Sequence, residues 1–343
     1  MTDVATTALP ADWQGTAPSP LGVDEAFNGY VAAQVVFAFD RLGLLDRLAG
    51  EEALEVAALD GDQAVLAALV RAAEAYGYLT ATGGWIRLTP AGREMAAMRG
   101  YFTWSVGGYR DVFAGAAELA AGRSRFGHEI TRDEAMVALG SGQNDRSFMA
   151  PTLDDVLAGI DFGTIADLGS GVCARVSRVV AGRPGTRGVG LDISAPATEL
   201  AERTIGDAGL TGRVRAVRAD VLDVLDRGTS AELAEVDTVM SFFLMHDLLA
   251  DPGRRPSVLP RLREAFPAAT TFVLADTMVR PVTAQTRTVP VFSVGYELAH
   301  ALMGIPLHSR ETYEGLFAAA GLRTARVLPF GTPHSWLYVL HTD

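Results

Sequence analysis

At 343 residues, 49% hydrophobic and 20% charged, the chain is long enough for about two ordinary domains and has the composition of a core-forming protein. Its 41 acidic against 29 basic side chains give a net charge of -12, which opposes docking onto nucleic-acid phosphates or anionic lipid and points to a small-molecule substrate. The single cysteine, Cys173, excludes an internal disulfide and a cysteine-rich zinc site, as expected in a reducing, cytoplasmic setting.

Residues 1–20 are rich in Ala, Thr and Pro, lack the basic start and apolar run of a signal peptide, and read as a disordered lead-in. From 26 to 48 apolar residues recur at helical spacing (Val31, Val35, Val36, Phe39, Leu42, Leu45). A face that wide needs a partner surface, so a homodimer interface is expected there. Residues 63–77 read as another helix with Leu66, Leu69, Val70 and Ala73 inward; Tyr78-Leu79-Thr80, a Gly83-Gly84 turn and residues 85–89 complete a winged-helix pattern over 21–100. Its would-be recognition helix offers Arg71 against Glu74, which favours a dimerisation domain over a DNA reader. Further helices over 101–160, with a polar break at 140–145, form a linker whose Phe102, Trp104 and Tyr109 are candidate pocket walls. After Phe162 strands alternate with helices, at 165–168, 188–192, 214–217, 236–245, 270–275 and 336–340. Residues 161–343 are therefore expected to be α/β, a parallel doubly wound sheet with helices on both faces.

The first of these strands runs into Asp167-Leu168-Gly169-Ser170-Gly171-Val172-Cys173, a turn that lets the backbone approach a ligand closely before a helix begins. Asp192 ends the second strand, where a carboxylate can receive both ribose hydroxyls, and Asp220 follows the third, where it can receive an adenine amino group. Three acidic residues at three successive strand ends resemble the class I S-adenosylmethionine (SAM)-dependent methyltransferases. The resemblance implies a Rossmann-like sheet and SAM as cofactor, with Asp167, Gly169, Gly171, Asp192, Asp220, Val221, Ser241 and Phe242 in its site. Cys173 departs from the glycine usual there, and a nicotinamide or nucleotide enzyme is the alternative, since a fold alone does not fix the ligand.

The winged-helix front, Ser241-Phe242-Phe243-Leu244-Met245-His246-Asp247 and the late Ser309-Arg310-Glu311 segment also resemble the O-methyltransferases of secondary metabolism, over nearly the whole chain past the lead-in. In that family the histidine at the place of His246 deprotonates a substrate hydroxyl. His300, in Tyr296-Glu297-Leu298-Ala299-His300, is a departure: a second histidine facing a His-Asp pair makes a set of two imidazoles and one carboxylate that leaves open positions on iron(II), zinc or a similar ion. This pattern resembles the bacterial α-keto acid C-methyltransferases, of phenylpyruvate and branched-chain types, from antibiotic peptide pathways. It implies His246, Asp247 and His300 as metal ligands and catalytic residues, a 2-keto acid substrate methylated at C3 through a metal-stabilised enolate, and a homodimer without nucleic-acid or membrane partners.

The alternative is a metal-independent O-methyltransferase with His246 as base, Asp247 or Glu297 orienting it and His300 shaping the pocket. A third reading, a winged-helix regulator or SAM-sensing scaffold, is disfavoured by the acidic charge. Arg123, Arg125 or Arg132 can clamp a substrate carboxylate. Leu244, Met245, Phe292 and Met303 are candidate apolar walls, His308 is expected in a solvated loop, and His128, His334 and His341 are read as structural or exposed.

Overall fold

The computed structural model describes residues 21–279 and 291–342, so the lead-in over 1–20 lies outside it. The helix Val23–Arg41 buries Ala32, Val35, Val36 and Phe39, and the last three pack with Leu44, Leu45 and Leu48 of the helix Leu44–Gly50 and Leu66, Val70 and Ala73 of Gln63–Ala75. The apolar face expected to await a second subunit is thus covered within the chain: Val35, Val36, Phe39 and Leu45 belong to one core. Periodicity reveals that a face is covered but not by what. Large apolar side chains are left in solvent at Leu42 of that face and, earlier, at Leu21, Val23, Phe27 and Tyr30.

Three short strands, β1 (Leu54–Glu55), β2 (Leu79–Thr82) and β3 (Trp85–Leu88), form a sheet in the order β1-β3-β2. Thr82 pairs with Trp85 across Gly83-Gly84, both at positive φ, the two-residue turn whose twist suits a hairpin.

The helix Glu134–Asn144 runs straight through the break expected at 140–145. A Cβ on Gly140 would stand 2.8 Å from both the Gly100 oxygen and the Trp104 nitrogen, so this glycine serves close helix packing rather than a turn. Two π-helical turns, Thr103–Gly108 and Asp145–Met149, interrupt these linker helices. Such turns are rare and recur at functional sites.

The C-terminal sheet has seven strands: β4 (Thr164–Leu168), β5 (Arg187–Asp192), β6 (Val214–Arg218), β7 (Thr238–Phe242), β8 (Thr271–Thr277), β9 (Leu322–Pro329) and β10 (Ser335–Thr342). Their order is β6-β5-β4-β7-β8-β10-β9. The first five are parallel, but β10 runs antiparallel to both β8 and β9, correcting the all-parallel expectation. β9 is absent from the expected strands because it is an edge strand, largely exposed, and carries Arg323 and Arg326 in place of an apolar run. Among the described residues, no helix is long and apolar enough to cross a membrane.

Candidate active site

The strand order turns back at β4, which has β5 on one side and β7 on the other, and ligands of such sheets sit in the crevice at the carboxyl ends there. The loop after β4 needs left-handed backbone at Gly169 and Gly171, with φ of 70° and 53°. Gly169 and Ser170 donate their N–H groups to the Leu191 carbonyl at 2.8 and 3.0 Å. Gly171 and Ser194 donate to the two carboxylate oxygens of Asp192, each at 2.8 Å. A carboxylate has about four acceptor positions, so Asp192 keeps capacity for ligand hydroxyls.

Cys173, also left-handed at φ 57°, is fully buried against Gly190, where a Cβ would come within 2.3 Å of its sulfur. The side chain added to the loop is housed by one omitted from β5. Burial pushes this thiol up to about 11, so it is unreactive.

Asp167 is fully buried and neither of its oxygens has a hydrogen-bond partner; Arg175 Nη1 stands 3.8 Å away. Burial pushes its carboxyl up to about 7, opposed by Arg175 and reinforced by Asp145 and Asp192. Arg175 also donates to Asp145 at 3.0 Å, a pairing of linker and loop that the sequence reading missed. An orphaned carboxylate under the glycine loop fits the cationic amino-acid end of SAM.

Asp220 caps the helix Val221–Arg227, accepting the Leu222 N–H at 2.9 Å, and Val221 is buried. Ser241 is buried with its hydroxyl on the Leu168 carbonyl at 3.4 Å, and Phe242 lies beneath the Arg175 guanidinium at 4.1 Å. Ile193, also missed, is 63% exposed beside Asp192 and offers an apolar face at the strand ends.

β7 ends at Phe242, short of 245, because Phe243 turns left-handed at φ 56° and donates its N–H to the Ala275 carbonyl at 2.8 Å. This bend opens the short helix Met245–Leu248 and turns His246 toward β8. There Asp276, fully buried and unforeseen, accepts the His246 backbone N–H at 2.7 Å, His246 Nδ1 at 2.9 Å, the Tyr313 hydroxyl at 2.8 Å and the Thr277 N–H at 2.8 Å.

The helix Ser293–Met303 carries His300, whose Nδ1 donates to the Tyr296 carbonyl at 2.8 Å. Its Nε2 stands 3.1 Å from Nε2 of His246. Each ring uses Nδ1 as donor, so two Nε2 lone pairs face each other, an arrangement that calls for a proton or a cation between them. Burial, then the neighbouring His246, pushes His300 down to about 3. For His246 burial also acts downward, but Asp276 and then Asp247 outweigh it and raise the net value. Asp247 Oδ2 is 3.7 Å from His246 Nε2 and its side chain is partly exposed. Among the described residues no three His, Cys, Asp or Glu side chains stand, as placed, in a metal-holding group; the two imidazoles do converge.

Aromatic rings surround the pair. Tyr296 stacks on His300 at 3.9 Å, Trp104 on Tyr109 at 4.0 Å, and Phe292 packs against Trp104 and Tyr296 at 4.9 and 5.0 Å. Phe292 is held at φ 73° in a turn closed by the Ser293 N–H on the Val291 carbonyl at 2.9 Å. Of the four non-glycine residues with positive φ among the described residues, three, Cys173, Phe243 and Phe292, border this crevice, where strain is commonly stored. Phe102 packs instead against the N-terminal core, and Met245 lies in the sheet core, so neither is a wall; Met303 joins the aromatic cluster.

Of the three candidate arginines, Arg123 pairs with Glu118 in solvent and Arg125 is exposed. Arg132 is largely buried, donates to the Tyr109 hydroxyl at 3.1 Å and to Glu134 at 2.9 Å, and lies within electrostatic reach of Asp247. His308 is buried, with Nε2 on the Leu249 carbonyl at 3.2 Å, and not solvated as expected: its loop folds back over the helix after β7. His128 is exposed, and His341 bonds Thr271 at 3.2 Å.

No protein-family model matches the chain. An indolepyruvate C-methyltransferase of Streptomyces griseus is 29% identical over 326 residues, covering 93% of this chain and 94% of the relative. A 2-ketoarginine methyltransferase of Streptomyces arginensis is 26% identical over 310 residues, 86% of each. The solved structure of PigF with S-adenosylhomocysteine (SAH) superposes with a TM-score of 0.67 at 19% identity, over 94% of this chain and 100% of that one. The fold is that of the class I SAM-dependent methyltransferases, α/β with a mostly parallel seven-stranded sheet. The chain itself is a SAM-dependent methyltransferase.

Proposed function

We propose that the chain methylates C3 of a 2-keto acid, branched-chain or phenylpyruvate-like, in antibiotic or peptide natural-product biosynthesis, with a divalent transition metal such as iron or zinc held by His246, Asp247 and His300. The observation that carries this reading is the pair of Nε2 lone pairs 3.1 Å apart, each ring fixed behind by its Nδ1 hydrogen bond. Histidine ligands typically donate their other ring nitrogen to a carboxylate or carbonyl in this way. His246 and His300 would hold such an ion through Nε2, and Asp247, partly exposed and 3.7 Å from His246 Nε2, would add its carboxylate. The names of the two relatives, both acting on 2-keto acids, support the substrate class.

When bound, the ion supplies Lewis acidity that withdraws charge from the keto group and makes the C3 hydrogen acidic. The chain supplies the rest. Arg132 binds the substrate carboxylate while the ring cluster around Trp104 and Phe292 excludes water from the side chain. Asp167, Gly169, Gly171, Asp192, Asp220, Val221, Ser241 and Phe242 form the SAM site in this reading. The C3–H bond breaks and its proton leaves to solvent. The C3 electron pair attacks the sulfonium methyl in line, and the C–S pair stays on sulfur to give SAH. The proposed enzyme is cytoplasmic and needs no nucleic acid. Residues 21–100 serve dimerisation, 101–160 link and line the pocket, and 161–343 hold the cofactor. The exposed Phe27 and Tyr30 offer the homodimer a face, and light scattering that reads a monomer would remove that element.

The second reading, a metal-independent O-methyltransferase, draws on the Asp276–His246 pair, which would strengthen His246 as a base. His300 counts against it, standing where His246 Nε2 would meet a hydroxyl. Elemental analysis with a SAM assay on 4-methyl-2-oxopentanoate and phenylpyruvate decides between them. About one equivalent of transition metal and chelator-sensitive transfer to carbon are expected. Metal-free protein that is inactive on both acids would favour the second reading.

Arg132→Ala should raise KM for the keto acid by about 10²-fold, the cost of removing one partner of a buried charged contact, and leave SAH affinity unchanged. An unchanged KM would reassign the carboxylate site.

A further inference from the structure

One group in the crevice has no role in the scheme above. Tyr296 is fully buried and touches both histidines: its ring stacks on His300 and its backbone carbonyl sets that ring's tautomer. Its hydroxyl stands 3.2 and 3.4 Å from the two nitrogens of His246, with the rings 80° apart. Nδ1 gives its hydrogen to Asp276 and the Nε2 lone pair faces that of His300, so the phenol, close to both nitrogens, meets the imidazole across its edge and not along one lone pair. A buried O–H with only this divided acceptor among the described residues is a donor available to a better oxygen. Within 3.4 Å of it stands His246 Nε2, the atom that faces His300 Nε2.

The geometry points to Tyr296 as a catalytic hydrogen-bond donor to the C2 oxygen of the substrate, an inference that rests on the keto-acid reading. When C3 gives up its proton to solvent, the C3–H pair becomes the C2=C3 π bond and the carbonyl π pair moves onto that oxygen. Negative charge therefore grows on the atom the phenol faces, while the phenol keeps its own proton. A donor aimed at developing charge strengthens as the charge appears and needs no reorganisation to do so. The tyrosine ring, held by His300, Trp104 and Phe292, fixes the direction of the O–H.

Tyr296→Phe removes that one oxygen and keeps the stack. On phenylpyruvate kcat should fall by roughly 10²-fold with KM within about threefold, the signature of a contact made chiefly in the transition state. Oxalate, a planar dianion that imitates the enolate, should bind the variant roughly 10-fold or more weakly by calorimetry on SAH-loaded protein. SAH affinity and metal content should stay at the wild-type values. A variant that keeps both kcat and oxalate affinity overturns the inference. So does one that loses oxalate, SAH and metal together, since that is the loss of a structural residue. Wild-type protein that neither methylates phenylpyruvate nor binds oxalate overturns the keto-acid reading itself, an outcome visible before any variant is made.

Discussion

Replacing His300 by alanine is expected to reduce metal content from about one equivalent to less than about a tenth, and C-methylation by about 10³-fold or more, with SAH binding intact. The separation follows from position. His300 lies on the helix Ser293–Met303, stacked under Tyr296 and 3.1 Å from His246, whereas the glycine loop and Asp192 stand at the ends of β4 and β5. Loss of one ligand therefore leaves the cofactor's partners in place. The variant also reports on acid stability. The folded state holds His300 neutral down to about 3, whereas an ordinary histidine takes a proton near 6.5. Between those values the unfolded chain binds more protons than the native one, so stability of metal-free protein falls as the pH is lowered through that window. His300→Ala should flatten the fall in a urea titration repeated from pH 7 to pH 4. A variant that keeps its metal and its activity on keto acids would leave His300 as a mere pocket wall and move the reading toward the O-methyltransferase.

The placing of the acidic residues and the glycine turn at the strand ends was legible because it is written locally. Asp167, Gly169 and Gly171 are consecutive with a strand end, Asp192 closes an apolar run and Asp220 follows the next strand, so spacing alone sets them on one edge of a parallel sheet. His300 drew notice through its chemistry, a polar ring among apolar helix positions, and it stands 3.1 Å from His246. Asp276 was missed although a signal existed: it is an acid closing the apolar run Phe272 to Ala275, as Asp167 and Asp192 close theirs, but the strand was ended two residues early, at 275 instead of 277. Tyr296 and Tyr313 gave no such signal, because a tyrosine at a buried helix position reads as core until its hydroxyl partner is known. The Asp145–Arg175 pair joins a π-helical turn to the loop helix, and neither residue announces the other along the chain.

Asp276→Asn tests the support behind the histidine pair, and its expected outcome follows from counting donors. Oδ1 accepts from His246 Nδ1 and the Thr277 N–H, and Oδ2 from the His246 N–H and the Tyr313 hydroxyl. An amide has one oxygen, so two of the four donors lose their acceptor whichever way it is turned. Each buried donor left unpaired costs about 1–3 kcal/mol, so the variant should be destabilised by roughly 2–6 kcal/mol. Tyr313→Phe, which removes one donor and orphans none, should cost only about 1 kcal/mol. The two orientations differ in what they do to the site. With the amide nitrogen at the Oδ2 position, the His246 backbone and Tyr313 are stranded but the imidazole tautomer survives. With it at the Oδ1 position, His246 must accept at Nδ1 and so carries its proton on Nε2, pointing at His300 in the space a cation would use. Metal affinity should therefore fall by about 10–100-fold, the usual cost of losing the group behind a histidine ligand. SAH affinity should be unchanged, because Asp276 lies on β8 and the loop residues proposed to bind the cofactor lean on β5. Wild-type metal affinity in a destabilised Asp276→Asn would show that the carboxylate holds the fold together without setting the tautomer, and the argument from two facing lone pairs would fall with it.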